Sequence, residues 1–362
     1  MLEAQLKHLK KIEKYKKYSP ALFFVFGFLF DILTLNDVDN LISIIQQCIY
    51  IIVAGSLLQF KFLEQEGLWQ ASEKIKKYWH YNNEILHFLL GGLLSIYTLF
   101  YFVSSSLAVS LLFLIFMFCL LIINEMPKFQ QQKIIFKYLL YAICLFSFFL
   151  FLLPLVAGTV SAFAFIAALL ISSLLTFLNF RTLVKKGIDR LKVLQQMVLP
   201  AALILLTLIL LYAGKILPPV PLSAKYIGIY HNVKKVADKY QLTYTRSPWK
   251  FWQNGDQTFY ALKNDKIYCF VRVFAPGLIA QKIIFHWQNM QQGEWITMDK
   301  VEINIQGGRQ HGFRGYVSKA NYIEGDWRVK LENEDGREIS RINFEVIHEA
   351  SDKPSEQNFH WH

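Results

Sequence analysis

The sequence predicts two parts, a polytopic α-helical membrane domain of about seven helices followed by an all-β domain, and three observations carry that reading. Residues 85–123 contain no Asp, Glu, Lys or Arg, over roughly twice the 20 residues a helix needs to cross about 30 Å of hydrocarbon. Of the 19 Lys and Arg in residues 1–215, 18 fall in segments 1–18, 61–84, 128–137 and 181–192, and none in the short turns 36–40, 104–106 and 157–160. From Tyr240 onward the apolar period changes from helical to two.

Taken in order, residues 21–36 and 41–60 form the first pair of spans, and 85–123 is a helical hairpin turning at Ser104-Ser105-Ser106. Residues 138–180 form a second hairpin, interrupted by Pro154 and Gly158, and 197–214 is the last span. It leads into Ile216-Leu217-Pro218-Pro219-Val220-Pro221, whose prolines stiffen the exit from the bilayer. Short cytoplasmic loops accumulate Lys and Arg, so the basic segments and the N-terminus belong inside and the turns outside. An odd number of spans then puts residues from Ile216 onward outside. In a bacterial inner membrane this gives a cytoplasmic N-terminus (1–20), a membrane domain (21–214), a linker with a connecting helix (215–240), a periplasmic domain (241–348) and a flexible tail (349–362).

A cleaved leader is the competing reading of the N-terminus. The long basic region, the lack of a small-x-small pattern after Phe30 and the interruption by Asp31 oppose it. Leu2, Leu6, Leu9 and Ile12 recur at helical spacing among Lys7, Lys10, Lys11 and Lys14, which suits a helix on an anionic inner leaflet or a solvated basic lead-in. Trp69 and Trp79, beside Lys74, Lys76 and Lys77, fit an interfacial anchor.

The net charge of +11 divides unevenly: 19 basic against 11 acidic residues up to Lys215, and 19 against 16 beyond it. Most of the basicity is therefore an orientation signal, and the expected partner is the lipid bilayer with no nucleic acid. Cys48, Cys119 and Cys144 lie in apolar spans and Cys269 is alone in the outer domain, so no disulfide forms there and no pair has metal-ligand spacing.

In the outer part, 266–274, 282–288, 295–305, 313–318, 327–332 and 338–347 are rich in β-branched and aromatic residues. Val301, Ile303 and Ile305 alternate with Glu302 and Asn304, and Ile342, Phe344 and Val346 with Asn343 and Glu345, so each strand buries one face. Two half-buried antiparallel sheets make a sandwich. Asn333-Glu334-Asp335-Gly336 is a hairpin turn signal. With 242–245 and 258–262 added, about eight strands fit an immunoglobulin-like sandwich. Ile229, Val233, Val236 and Tyr240 are spaced for one face of a connecting helix over 226–240.

Val273-Phe274-Ala275-Pro276-Gly277, Phe285-His286-Trp287, Gly325-Asp326-Trp327-Arg328-Val329 and Asp335-Gly336 together resemble the bacterial family called domain of unknown function 2914. Gly27-Phe28-Leu29-Phe30-Asp31-Ile32-Leu33-Thr34-Leu35 is similar to the first-span pattern of its membrane-bound members. The resemblance implies an architecture, a multi-span region followed by this module. The family carries no established activity, so it implies no residue roles.

Asp31 is the one acidic residue well inside a span, about 15 Å from Ala21 along a helix. An intramembrane carboxyl reads as a structural lock, with Lys215 as a candidate partner, or as an ion site. No second deep acid lines a path, which favours the lock. Asp37 and Asp39, with Asn36 and Asn40, offer oxygens of the kind calcium takes, but without a turn glycine or distal glutamate they read as a solvated turn capping the next helix. Trp327 shares a face with Val329 and Leu331 and belongs to the core. Trp249 and Trp252 sit in the loop-like Ser247-Pro248-Trp249-Lys250-Phe251-Trp252-Gln253-Asn254-Gly255 and are candidates for an exposed binding surface. His286, His311, Arg309 and Arg314 could line a polar patch, and His360 and His362 form a His-x-His in the tail.

No nucleophile elbow, His-Glu-x-x-His pair, phosphate loop or dinucleotide fingerprint is present. The sequence therefore reads as a non-enzymatic envelope protein without a cofactor or metal, whose outer domain binds a protein or glycan. The alternative is a transporter or channel-like protein with the outer domain as a regulatory cap.

Overall fold

A computed structural model describes residues 38–125, 134–247, 249–262, 265–277, 279–308, 312–348 and 358–362. They form two units, one of residues up to 102 with 112–153 and 165–214, the other of 215–362 with two short segments, 103–111 and 154–164. The predicted first span, its Asp31, and Asp37 lie outside the described residues.

The first unit is helical, with α1 (Leu41–Gln65), α2 (Glu73–Trp79), α3 (Asn82–Val103), α4 (Leu107–Glu125), α5 (Ile134–Ala157), α6 (Ala162–Lys185) and α7 (Arg190–Ala213). Among the described residues, six of these, all but α2, are long and apolar enough to cross a membrane. Both expected hairpins are present as α3–α4 and α5–α6. Asn40 caps α1, its Oδ1 accepting from the Ser43 amide at 3.1 Å, and Asp39 lies exposed in the preceding turn.

Aromatic rings hold the helical core. Tyr101 meets Phe113 edge-on at 4.7 Å and Phe151 at 5.0 Å, while its hydroxyl lies 3.1 Å from Ser147 Oγ. The outward sides of α1 and α7 are apolar instead, exposing Ile42, Ile45, Ile49 and Ile52 on one and Leu199, Leu203, Leu206 and Leu210 on the other. In α7 a π turn at Leu194–Val198 precedes Pro200, whose missing N–H cannot bond the carbonyl of Gln196.

Among the described residues, the second unit holds eleven strands: β1 (Ser223–Tyr230), β2 (Asn232–Val236), β3 (Lys239–Tyr244), β4 (Thr258–Ala261), β5 (Ile267–Phe274), β6 (Ala280–Gln291), β7 (Glu294–Gln306), β8 (Phe313–Lys319), β9 (Gly325–Asn333), β10 (Glu338–His348) and β11 (Asn358–Trp361). They build a sheet of order β1-β5-β8, a second of order β4-β10-β9-β6-β7 and a small third of order β11-β3-β2. The first two face each other over one core, with Ile229, Val271, Phe285, Trp287, Trp327 and Phe344 among its buried side chains. Alternation sends Cys269 and Val271 into that core and Phe270 to the other side, where it meets Tyr230, Val233 and Leu242 beside the third sheet. The β1-β5-β8 sheet is thus covered on both faces.

The connecting helix over 226–240 is absent: β1, β2 and β3 run through it. Ile227 and Ile229 face one core while Tyr226 and Tyr230 face the other, a period of two that a helical count of Ile229, Val233, Val236 and Tyr240 overlooks. The β domain therefore begins before residue 241. The tail is not wholly flexible either, because residues 358–361 pair antiparallel with β3 as β11. Nor is every pairing antiparallel, since β4 runs parallel to β10. The turn after β9 is as expected, with Gly336 at φ 67° in the left-handed region that glycine tolerates.

Segments 103–111 and 154–164 join the β unit at one end. The Ala280 amide donates to the Gly158 carbonyl at 3.0 Å, the Val160 amide to Gln281 Oε1 at 2.9 Å, and Ser106 Oγ to Glu338 Oε1 at 2.5 Å. Arg341 holds the same Glu338 carboxylate through two bonds of 2.7 and 2.5 Å.

Candidate functional site

Among the described residues of the β unit, the loop between β3 and β4 carries a cluster of three exposed aromatic side chains. Trp249 is 64% exposed, Phe251 81% and Trp252 60%. Trp249 and Trp252 meet edge to face at 5.4 Å and 68°, and Phe251 and Trp252 at 5.3 Å and 81°, so the rings form a convex knob without a shared flat face. Its charges are all basic: residues 246–255 contain Arg246 and Lys250 and no acid. The Lys250 ammonium lies 5.6 Å from the Trp249 ring centre, and Arg246 Nη1 donates to the Lys250 carbonyl at 2.6 Å.

The base of this loop is held by buried polar groups. Asp256 is fully buried and accepts from the Thr245 amide at 3.0 Å and the Arg246 amide at 2.7 Å, tying the end of the loop to its start. His231 stands between two carboxylates, with Nδ1 2.6 Å from Asp265 Oδ2 and Nε2 3.6 Å from Asp256 Oδ2, and its ring stacks on Phe259 at 4.1 Å. Burial pushes the Asp256 carboxyl up, against the pull of the Thr245 amide, His231 and the Arg246 amide. Gly255 has φ 72° and sits where an added Cβ would meet the Ile229 carbonyl oxygen at 1.9 Å, so only glycine admits this close passage against β1.

The position of the loop follows from strand direction. Glu338, bonded to Ser106, opens β10, and the Glu345 amide donates to the Gln257 carbonyl at the loop's exit. Seven residues along a strand are roughly 23 Å. The aromatic knob therefore lies toward the end of the β unit away from segments 103–111 and 154–164.

The remaining candidates do not gather into one site. His286 lies on the outer face of the five-stranded sheet, 3.5 Å from Glu332, and burial lowers its pKa. Arg314 is on β8 opposite Arg272, on the face covered by the third sheet, and donates to the His362 carbonyl at 3.2 Å. The two-sheet core separates them, and Arg309 and His311 lie outside the described residues. Lys215 follows the last helix at φ 57°, its Nζ 3.0 Å from the place a Cβ on Gly336 would occupy. His360 and His362 turn inward. His360 Nε2 is 3.3 Å from the Tyr230 hydroxyl, which also bonds Tyr226, and burial, with His360, Arg272 and Arg314 nearby, pushes His362 down to about 4.

Sequence reasoning located Trp249 and Trp252 but missed Phe251, the most exposed of the three, and the His231, Asp256 and Asp265 group. The Gly255-Asp256 pair was the available local signal. His231 and Asp265 stand 34 positions apart and are joined only by sheet pairing.

No curated protein matches the sequence. Among solved structures, the chain is similar to an immunoglobulin-like protein from Pseudomonas aeruginosa, at 12% identity over 35% of this chain and 96% of that chain, with a TM-score of 0.21. It is also similar to a β-glucosidase from Kluyveromyces marxianus, at 8% identity over 37% of this chain and 15% of that chain, with a TM-score of 0.17. Residues 280–346 match the family described as Protein of unknown function (DUF2914). That stretch spans β6 through most of β10 and holds the Phe285-His286-Trp287, Gly325 to Val329 and Asp335-Gly336 motifs, so the chain carries a C-terminal domain of this family.

Proposed function

We propose that this is a polytopic inner-membrane protein with a cytoplasmic N-terminus, whose periplasmic, immunoglobulin-like β domain is a non-enzymatic module that captures a protein on the loop between β3 and β4. The apolar outward faces of α1 and α7 support insertion, since lipid tails replace water around such helices. The bonds from Gly158, Val160 and Ser106 to the β unit support its side, because the turns that lack Lys and Arg are the ones that meet it. A reporter active only outside the cytoplasm should work when fused after His362 and fail within 66–72 or 186–189. Activity at either internal site would overturn the topology.

The observation that carries the binding reading is the knob of Trp249, Phe251 and Trp252 above a base fixed by Asp256. Exposed tryptophan and arginine dominate the energetics of many protein interfaces. A sugar ring stacks on one flat aromatic face, whereas these rings present edges to one another. That shape fits an apolar pocket in a protein, and the basic residues fit an acidic rim around it. A photo-crosslinking amino acid at Phe251 in the full-length protein in cells should give a discrete protein adduct, lost with Trp249→Ala/Trp252→Ala and absent when the probe is at Val236. No adduct, together with retention of the purified protein on cell-wall sacculi that depends on both tryptophans, would transfer the site to a glycan. The double substitution should change stability by no more than about 0.5 kcal/mol, as surface changes do.

A further inference from the structure

Among the described residues, two lysines near the Gln65 end of α1 form no ion pair. Lys61 and Lys137 are only 9% and 5% exposed, and both donate to the same neutral atom, Asn83 Oδ1, Lys137 at 2.6 Å. Lys61 also reaches Asn82 Oδ1 at 3.2 Å. Two nearby carboxylates are engaged elsewhere: Glu64 accepts from Trp79 Nε1 at 2.7 Å and Glu66 pairs with Lys192 at 2.8 Å. Glu84 is exposed and near enough to act electrostatically on both lysines, but among the described residues no ion pair joins a carboxylate to Lys61 or Lys137. Two lysine amines sharing one amide oxygen, shielded from water, depart from the usual rule that buried basic groups are matched by acidic ones. The first turn of α3 adds to the imbalance, because a helix N-terminus carries a partial positive charge.

The level of this cluster says what anion would meet it. Lys61 stands 20 residues beyond Leu41, the first residue of α1, or about 30 Å along the helix, which is the thickness of the hydrocarbon core. At the same end Trp69 and Trp79 meet at 4.7 Å and Phe60 meets Trp69 at 5.0 Å, an aromatic group of the kind found at the headgroup boundary. Asn82 and Asn83 are half-buried, so the cluster opens at their edge. We infer that Lys61, Lys137 and the Asn82–Asn83 turn bind the phosphate of an anionic phospholipid headgroup in the inner leaflet. Basic pockets between helices on the cytoplasmic side hold such headgroups in membrane proteins generally.

This rests on the helices spanning a membrane, so the test begins by reconstituting the full-length protein into nanodiscs. Failure to incorporate as a monodisperse particle would sink the spanning reading and with it this site. In nanodiscs that form, phosphatidylglycerol mixed into phosphatidylcholine should raise Tm for the wild type. It should bind the wild type about tenfold more tightly than Lys61→Gln/Lys137→Gln, while Lys137→Arg retains most of the effect. Inorganic phosphate added to protein in detergent distinguishes the source: a rise in Tm equal to that from the lipid would overturn the lipid assignment. Equal Tm responses to phosphatidylglycerol in the wild type and the double variant would overturn the site. So would a higher Tm for Lys137→Met than for the wild type in phosphatidylglycerol nanodiscs, since that is the response of two repelling charges without a bound anion.

Discussion

Replacing Trp327 by alanine should destabilise the β domain by about 3–5 kcal/mol, the usual cost of truncating a large buried aromatic. Its side chain is fully buried between the two main sheets, with Val329 and Leu331 on the same face of β9. The indole N–H donates to the Ile323 carbonyl at 2.8 Å, so truncation also leaves that acceptor without its partner. Trp327→Phe keeps most of the volume and loses the bond, and should cost roughly 1–2 kcal/mol. Urea denaturation of a fragment beginning at Lys215 measures both. That start keeps β1 whole, since the strand opens at Ser223, and keeps Leu217, whose carbonyl accepts from Arg337. A silent Trp327→Ala would mean that the core is organised around the other sheet face.

That Trp327 belongs to the core was legible from its alternation with Val329 and Leu331, and the same logic located β5 to β10. The helices were legible for a different reason: apolar runs of 18 or more residues exceed the length of a buried strand, and a helix satisfies its backbone hydrogen bonds within the run. The errors fall where one side-chain pattern has two meanings. Residues 226–230 place apolar and aromatic side chains on both faces because the β1-β5-β8 sheet is covered on both faces, and a sequence apolar on two sides can be counted as helical. Residues 358–362 look like a solvated end until β3 supplies the partner strand, 114 residues earlier in the register of Asn358 with Tyr244. In the sequence, Lys61 and Lys137 look like ordinary topology signals. Their convergence on Asn83 depends on how three helices pack, which no local pattern records.

Replacing Asp256 by alanine should separate the shape of the aromatic loop from its composition. The carboxylate accepts from two consecutive backbone amides, Thr245 and Arg246, and faces His231 Nε2. Alanine removes those acceptors in a site with no exposure, and each buried donor left without a partner costs about 1–3 kcal/mol. The expected loss is roughly 2–4 kcal/mol, as two such donors are released. Relaxation of the loop toward water should recover part of that cost, so the local effect should exceed the global one. Hydrogen exchange should show residues 245–257 opening while β9 and β10 keep their protection. Partner crosslinking at Phe251 should fall even though Trp249, Phe251 and Trp252 are all still present, because ordering them would then oppose binding. Asp256→Asn retains one carbonyl oxygen for the amides and should fall between wild type and alanine on both measures. Undiminished crosslinking with an opened loop would show that the aromatic residues bind as a flexible segment, and that the Asp256 base serves only the stability of the fold.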